Sequence, residues 1–164
     1  MIIRQVVAAM IDYFQDDVRR VAHALKVYGY AQAIAANEQM DSAQLVALET
    51  AAVLHDIGIH EAERLHGSSA GPFQELEGPP VARKILEKLR CDGELNARVC
   101  YLVGHHHSYD QIDGIDFQIL VEADFLVNIE EDGLSQDAVR IIRKKYFKTA
   151  SGTGILTRLY ALED

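Results

Sequence analysis

Four polar side chains interrupt the apolar faces of predicted helices in this chain of 164 residues. Apolar residues recur at helical spacing around each of them, and the four are His23, His55, Asp56 and Asp124. An unpaired carboxylate in apolar surroundings is costly to bury, so both aspartates need a partner. Helices that pack together can bring such groups to one point. The sequence therefore predicts a polar cluster inside a helical bundle.

Helical periodicity runs through the whole chain, and we find no alternating strand pattern. The predicted fold is an all-α, single-domain bundle of about six to seven helices that occupies residues 1–164. The predicted helices are 2–13, about 16–36, about 42–57, 79–89, 92–106, about 116–131 and 135–147, followed by a short C-terminal segment. Residues 59–78 are predicted to form a long irregular loop, and loops of this length are usually functional or mobile. Pro79 and Pro80 suit the first turn of the helix that follows.

Charge and composition restrict the classes of partner. The formal net charge is −9, which argues against a nucleic-acid polymer as a partner, because such binding needs a basic face. No stretch has the length of a membrane span, and the two cysteines lack a CxxC spacing, which favours reduced thiols. We therefore expect a soluble, cytoplasmic protein. The apolar face of the first helix leaves two alternatives open, the core of the chain or a homodimer interface.

The four clustered residues offer two imidazoles and two carboxylates. This mixed nitrogen and oxygen donor set suits Mn²⁺, Fe²⁺, Co²⁺, Ni²⁺ or Zn²⁺, and it also permits Mg²⁺. A divalent metal ion is therefore the expected cofactor.

The order and placement of His23, His55-Asp56 and Asp124 resemble the H…HD…D signature of the HD-domain superfamily. The resemblance spans about residues 18–130, and the C-terminal helices within 135–164 are expected to pack on that region. The segments Gly78-Pro79-Pro80-Val81-Ala82 and Glu122-Ala123-Asp124 are further similarities. The resemblance implies an all-helical, metal-dependent phosphohydrolase that acts on a nucleotide or another small phosphate ester, with the four residues as metal ligands.

A second metal site is suggested by His105-His106, which resemble the paired histidines of the two-metal HD-GYP phosphodiesterases. The Gly-Tyr-Pro element is absent, and Gln74 stands where two-metal relatives place a histidine. An amide oxygen is a poor substitute for imidazole, although Glu75 or Glu77 can compensate. We therefore expect one tight metal site, with a weaker second metal or phosphate site that uses His105 or His106.

Other charged residues are candidates for catalysis and substrate binding. A metal-activated water would attack the phosphoryl group, with Asp56 as a ligand and Glu61 or Glu63 to orient the water or accept its proton. The candidates for contact with phosphate oxygens are Arg64, Lys84, His106 and His107. A solvated charge run is an equally good interpretation of residues 61–64.

Two other functions stay open at this stage. A di-iron pair on the same fold would favour oxygenation, and an iron-specific, oxygen-consuming reaction would distinguish it from hydrolysis. A closed metal site without an open position would instead favour a non-catalytic binding or regulatory module.

Overall fold

The computed structural model describes residues 2–163, and this part of the chain contains nine α-helices, one short 3₁₀ turn and no strand. The helices are α1 (Ile2–Phe14), α2 (Val18–Ala35), α3 (Ser42–Leu54), α4 (Ile59–His66), α5 (Gly71–Lys88), α6 (Gly93–Val103), α7 (Ile115–Glu131), α8 (Gln136–Tyr146) and α9 (Ala150–Leu159). The 3₁₀ turn is Tyr109–Gln111. The all-α prediction is confirmed, whereas the predicted number of six to seven helices is too low.

Helix α7 lies at the centre of the fold and packs against α2 and α3. It is buried on more than one face, because both its apolar residues and Asp116, Glu122 and Asp124 lie in the interior. Helix α1 covers α2 and α3 through four buried side chains, Ile3, Val6, Met10 and Phe14. The apolar face of the first helix therefore belongs to the core.

Side-chain caps fix where several helices begin. Asp17 accepts a hydrogen bond from the backbone N–H of Arg20 at the start of α2. Asp41 and Gln44 form a reciprocal capping box at the start of α3. Because these caps satisfy backbone donors that lack a partner within the helix, they agree with the helix starts predicted from sequence.

The prediction of a loop at residues 59–78 is wrong. Helix α4 and the start of α5 occupy this segment. Helix α4 buries only Ile59 and Ala62, and its eight residues are too few for an apolar pattern to repeat over several turns. Helix α5 begins eight residues before Pro79 and continues through both prolines. An interior proline costs about 3 kcal/mol or more, and we attribute its tolerance here to the close packing of α5 against Gly58 and α6.

Two helices end earlier than predicted, and short turns follow them. Helix α3 ends at Leu54, so His55 and Asp56 stand on the turn beyond it. Helix α6 ends at Val103, and residues 104–107 form a second turn. Chemically important side chains are therefore presented by turns at helix ends.

The C-terminal helices pack on the central ones, α8 on α7 and α9 on both α2 and α7. The fully buried Glu122 of α7 accepts hydrogen bonds from the backbone N–H groups of Lys148 and Thr149 at 2.7 and 2.9 Å. Gly152 lies inside α9, directly against the carboxylate of Glu122. Within residues 2–163 we find no helix with both the length and the apolar character needed to cross a membrane.

Candidate metal centre

Three elements bring His23, His55, Asp56 and Asp124 together. His23 comes from α2, His55 and Asp56 from the turn after α3, and Asp124 from α7. His23 Nε2 lies 3.2 Å from His55 Nε2, 3.3 Å from Asp124 Oδ1 and 3.5 Å from Asp56 Oδ2. His55 Nε2 lies 3.6 Å from the same two carboxylate oxygens. Four potential ligand atoms thus surround one point.

Hydrogen bonds on the far side of each ring set the histidine tautomers. His23 Nδ1 donates to Glu131 Oε2 at 2.9 Å, and His55 Nδ1 donates to the carbonyl of Ala52 at 2.9 Å. A ring whose Nδ1 carries the hydrogen presents a lone pair at Nε2. Partners of this kind are typical of metal-binding histidines, because they orient the ring and raise its basicity.

This arrangement fits a bound cation. Two imidazole lone pairs 3.2 Å apart repel each other unless a proton or a metal ion lies near both. Two ionised carboxylates, Asp56 and Asp124, approach the same point and add negative charge. Buried charges of one sign need a counter-charge, and a divalent ion would supply it.

The pKa values show the same preference for positive charge. Burial would lower the pKa of His55, but Asp56 and Asp124 offset this effect and raise the pKa to about 9. Burial would raise the pKa of Asp56, yet His55 and His106 hold it well below its usual range. The pKa of Asp124 is likewise held low against burial, by hydrogen bonds to His23 and His55. Positive charge beside Asp56 and Asp124 therefore stabilises the ionised form of both carboxylates.

A second group of potential ligands shares Asp56 with the first. Asp56, His106 and His107 each offer a ligand atom, and these atoms lie within 4.8 Å of one another. His106 Nδ1 donates to the carbonyl of Val103, while its buried Nε2 lies 3.4 Å from Asp56 Oδ1 without a hydrogen-bond partner. Burial and His106 lower the pKa of His107 to about 4, so its ring is neutral near pH 7. The two oxygens of Asp56 thus face two groups of nitrogen donors.

The histidine pair expected at a second site is displaced by one residue. His105 turns away, because its Nδ1 donates to the carbonyl of Tyr101 and its ring stacks on the Tyr101 ring. It belongs to neither group of potential ligands, so the second-site interpretation of His105 is wrong. The turn after α6 presents His106 and His107 instead.

Two residues of α5 support that turn. Gln74 Oε1 lies 3.4 Å from His107 Nε2, and its amide donates to the carbonyl of Ser69. Glu75 accepts hydrogen bonds from the backbone N–H of His107 at 3.0 Å and from the hydroxyl of Ser108. Gln74 therefore faces the second group of ligands, as expected, while Glu75 holds the turn that presents it.

Four sequence candidates lie outside the centre, in a separate groove between α1, α4 and α5. They are Glu61, Glu77, Arg64 and Lys84, and the groove encloses about 480 Å³. Arg64 binds Glu61, and Glu77 binds His66. The expected roles of these four in catalysis, phosphate contact or a second metal site therefore do not fit their positions. The reason is that residues 59–66 and 71–88 are the helices α4 and α5, and the faces that carry these four side chains line the separate groove.

The metal centre opens into a small polar cavity of about 150 Å³. Five of its polar lining residues were not singled out in the sequence: Arg19, Arg20, Asn128, Glu131 and Asp132. Arg20 binds Glu63 at 3.0 Å, which places that candidate carboxylate at the rim, paired to an arginine. Helical spacing could have indicated three of these positions, since Arg19 and Arg20 precede His23 by four and three residues, and Asn128 follows Asp124 by four.

Comparisons with known proteins agree with this architecture. A family model described as the HD domain matches residues 20–144. Curated proteins give no significant match, and neither do solved structures. The family consists mostly of metal-dependent hydrolases. The match covers most of the chain and includes all four residues of the H…HD…D signature, so this protein belongs to the HD-domain family.

Proposed function

We propose that this protein is a metal-dependent phosphohydrolase that acts on a small phosphorylated substrate. The observation that carries the proposal is the convergence of His23, His55, Asp56 and Asp124 beside an open cavity with arginines at its rim. A buried structural site would be closed on all sides, whereas a catalytic metal keeps an open position. The cavity above the four ligands supports the catalytic alternative.

The ligand set fits one tightly bound ion, and Asp56, His106 and His107 fit a second. A divalent ion in such a site supplies a water of lowered pKa and polarises a phosphoryl oxygen. Glu131 and the carbonyl of Ala52 fix the orientation of the His23 and His55 rings. The di-iron oxygenase and the non-catalytic module remain the alternative proposals, and the assay below distinguishes them.

Charge in the cavity links substrate binding to metal binding. Two arginines and four carboxylates line it, which gives a formal charge of −2 when the histidines are neutral: Arg19, Arg20, Asp56, Asp124, Glu131 and Asp132. A phosphate dianion would be repelled by this lining. Divalent ions reverse the local field. We therefore propose that the metal-free protein binds phosphate very weakly.

The arginine at the rim provides a test of phosphate recognition. Arg20→Ala should raise KM about tenfold or more, because a hydrogen bond to a charged group contributes about 1.5–3 kcal/mol. Arg64→Ala is the matched control, since Arg64 binds Glu61 in the separate groove. Steady-state kinetics of both variants would measure the difference. Equal KM values would contradict a substrate contact by Arg20.

Glu75 provides a test of the second ion. Glu75→Gln should weaken binding of the second ion about 10- to 100-fold, which is the range for residues that orient a metal ligand. Binding of the first ion should not change. Calorimetric titration with Mn²⁺ would resolve the two binding steps. Glu87→Gln, an exposed position on the same helix, is the control. Unchanged binding in Glu75→Gln would show that the turn does not need this carboxylate.

The proposal as a whole is tested by metal analysis together with phosphate release. We expect at least one transition-metal ion per chain, and phosphate release from p-nitrophenyl phosphate with added Mn²⁺, Co²⁺ or Ni²⁺. Asp124→Asn should lose both properties, whereas Asp137→Asn should keep both, because Asp137 is 91% exposed and binds only Arg140 among described residues. Iron-dependent oxygen uptake without phosphate release would favour the oxygenase. A tightly bound metal ion without phosphate release or oxygen uptake would favour the non-catalytic binding module.

A further inference from the structure

The cavity above the metal centre is too small to enclose a nucleotide. Pockets that enclose drug-sized ligands measure about 300–1,000 Å³, whereas this cavity measures about 150 Å³. One water occupies about 30 Å³ of liquid, so the cavity holds the equivalent of about five waters. This volume accommodates a phosphoryl group with an attacking water and little more.

The lining also lacks the surfaces that bind a nucleobase. Among the described residues that line the cavity, Ile59 is the one aliphatic side chain, and none is phenylalanine or tyrosine. Two imidazole rings line the cavity, those of His23 and His107. His23 is one of the four clustered ligand candidates, and the His107 ring packs against the His106 ring, with ring centroids 4.0 Å apart. The backbone of Gly71 lies close to the same ring, since a Cβ there would sit 3.1 Å from His107 Cδ2. His107 is therefore poorly placed to stack on a base.

A base cannot extend from this cavity into the neighbouring groove. The groove that contains Tyr13 and Lys84 shares no lining residue with the metal cavity. The rim between them carries charged pairs, such as Arg20 with Glu63. A group that projects from the cavity thus meets charged, hydrated side chains.

We propose that the substrate is a phosphomonoester of a small, polar alcohol, and that the protein recognises the phosphoryl group rather than a nucleoside. This inference rests on the proposed phosphohydrolase function. Hydrolysis would form a bond from the water oxygen to phosphorus and break the bond from phosphorus to the ester oxygen. The water proton ends on the leaving alcohol, and the products are that alcohol and inorganic phosphate. A diester has a second substituent, which would also have to project from the cavity past charged side chains such as Arg20 and Glu63.

The test compares leaving groups on the metal-loaded, full-length protein. The panel is glycerol 3-phosphate, adenosine 5′-monophosphate, p-nitrophenyl phosphate and bis(p-nitrophenyl) phosphate. We expect glycerol 3-phosphate to have a kcat/KM at least equal to that of the nucleotide, and the diester to react at least 100-fold more slowly than its monoester. A tenfold preference for the nucleotide, or efficient diester cleavage, would overturn the inference while the phosphohydrolase function stands.

A binding measurement keeps the inference testable without turnover. Calorimetry should give Kd values for glycerol 3-phosphate and the nucleotide within about threefold of each other. A stacked base would strengthen nucleotide binding by about five- to 150-fold, and that result would overturn the inference. Absence of phosphate release from the whole panel would instead count against the proposed function, and the Kd comparison would still decide the ligand class. Failure of glycerol 3-phosphate to bind would also overturn the inference.

Discussion

Replacing Asp56 with alanine should remove both metal sites and lower phosphate release by more than about 100-fold. One carboxylate oxygen of Asp56 faces His23 and His55, and the other faces His106. Each group of donors therefore loses an anionic ligand at once. Even residues that only orient a metal ligand contribute about 10- to 100-fold to metal affinity or activity. Loss of a ligand that both sites share should therefore lower metal affinity and activity by more than this. Elemental analysis and phosphate-release assays would measure both effects.

The variant His106→Ala separates the two sites. It should retain one ion per chain, because His23, His55, Asp56 and Asp124 stay intact. Asp137→Ala removes an exposed carboxylate and should keep the metal content and activity of the natural sequence. A metal content in Asp56→Ala equal to that of the natural sequence would refute the shared role of Asp56.

Replacing Gly58 with alanine should lower the free energy of unfolding by about 3 kcal/mol, the upper end of the usual range for overpacking. A Cβ at this position would lie 2.5 Å from the backbone N of Gly78 and 2.8 Å from the carbonyl oxygen of Gln74. Both contacts involve backbone atoms, so no side chain can rotate to relieve them. For a chain of this length, the melting temperature should fall by about 6–12 °C.

Gly29→Ala is the matched control for that experiment. Gly29 lies inside α2, and a Cβ there would meet nothing within 4 Å. Alanine should therefore stabilise the helix by about 0.5–1 kcal/mol. Thermal unfolding of both metal-free variants would show opposite shifts. A melting temperature for Gly58→Ala equal to that of the natural sequence would mean that α5 can move away from the metal-binding turn.

Long helices were predictable because their periodicity repeats over several turns. Helices α2 and α7 begin and end close to their predicted limits. The caps Asp17 and Asp41 mark the starts of α2 and α3. Helix α4 was not predictable in the same way, because its eight residues are shorter than the window of about 11–18 residues in which helical periodicity is recognised. In α5, packing against Gly58 overrides the local preference of proline for a helix start.

The ends of helices limited the prediction of the site. Helical spacing assigns a direction to a side chain only while the helix continues, and α6 ends at Val103. Beyond that point the direction of each side chain depends on the turn and its hydrogen bonds. The backbone N–H of His107 donates to Glu75, and His107 faces the centre, whereas His105 is held against Tyr101. The same limit applies to Glu61 and Arg64, whose direction depends on where α4 begins.

The sequence by itself determined the all-helical class and the four polar residues in apolar surroundings, because both follow from local spacing and from the cost of burying a charge. Only the tertiary structure decided which two of the three consecutive histidines lie beside Asp56 as potential ligands, and which arginines line the cavity. These choices depend on the packing of α5 against the turns after α3 and α6, which involves residues far apart in the chain.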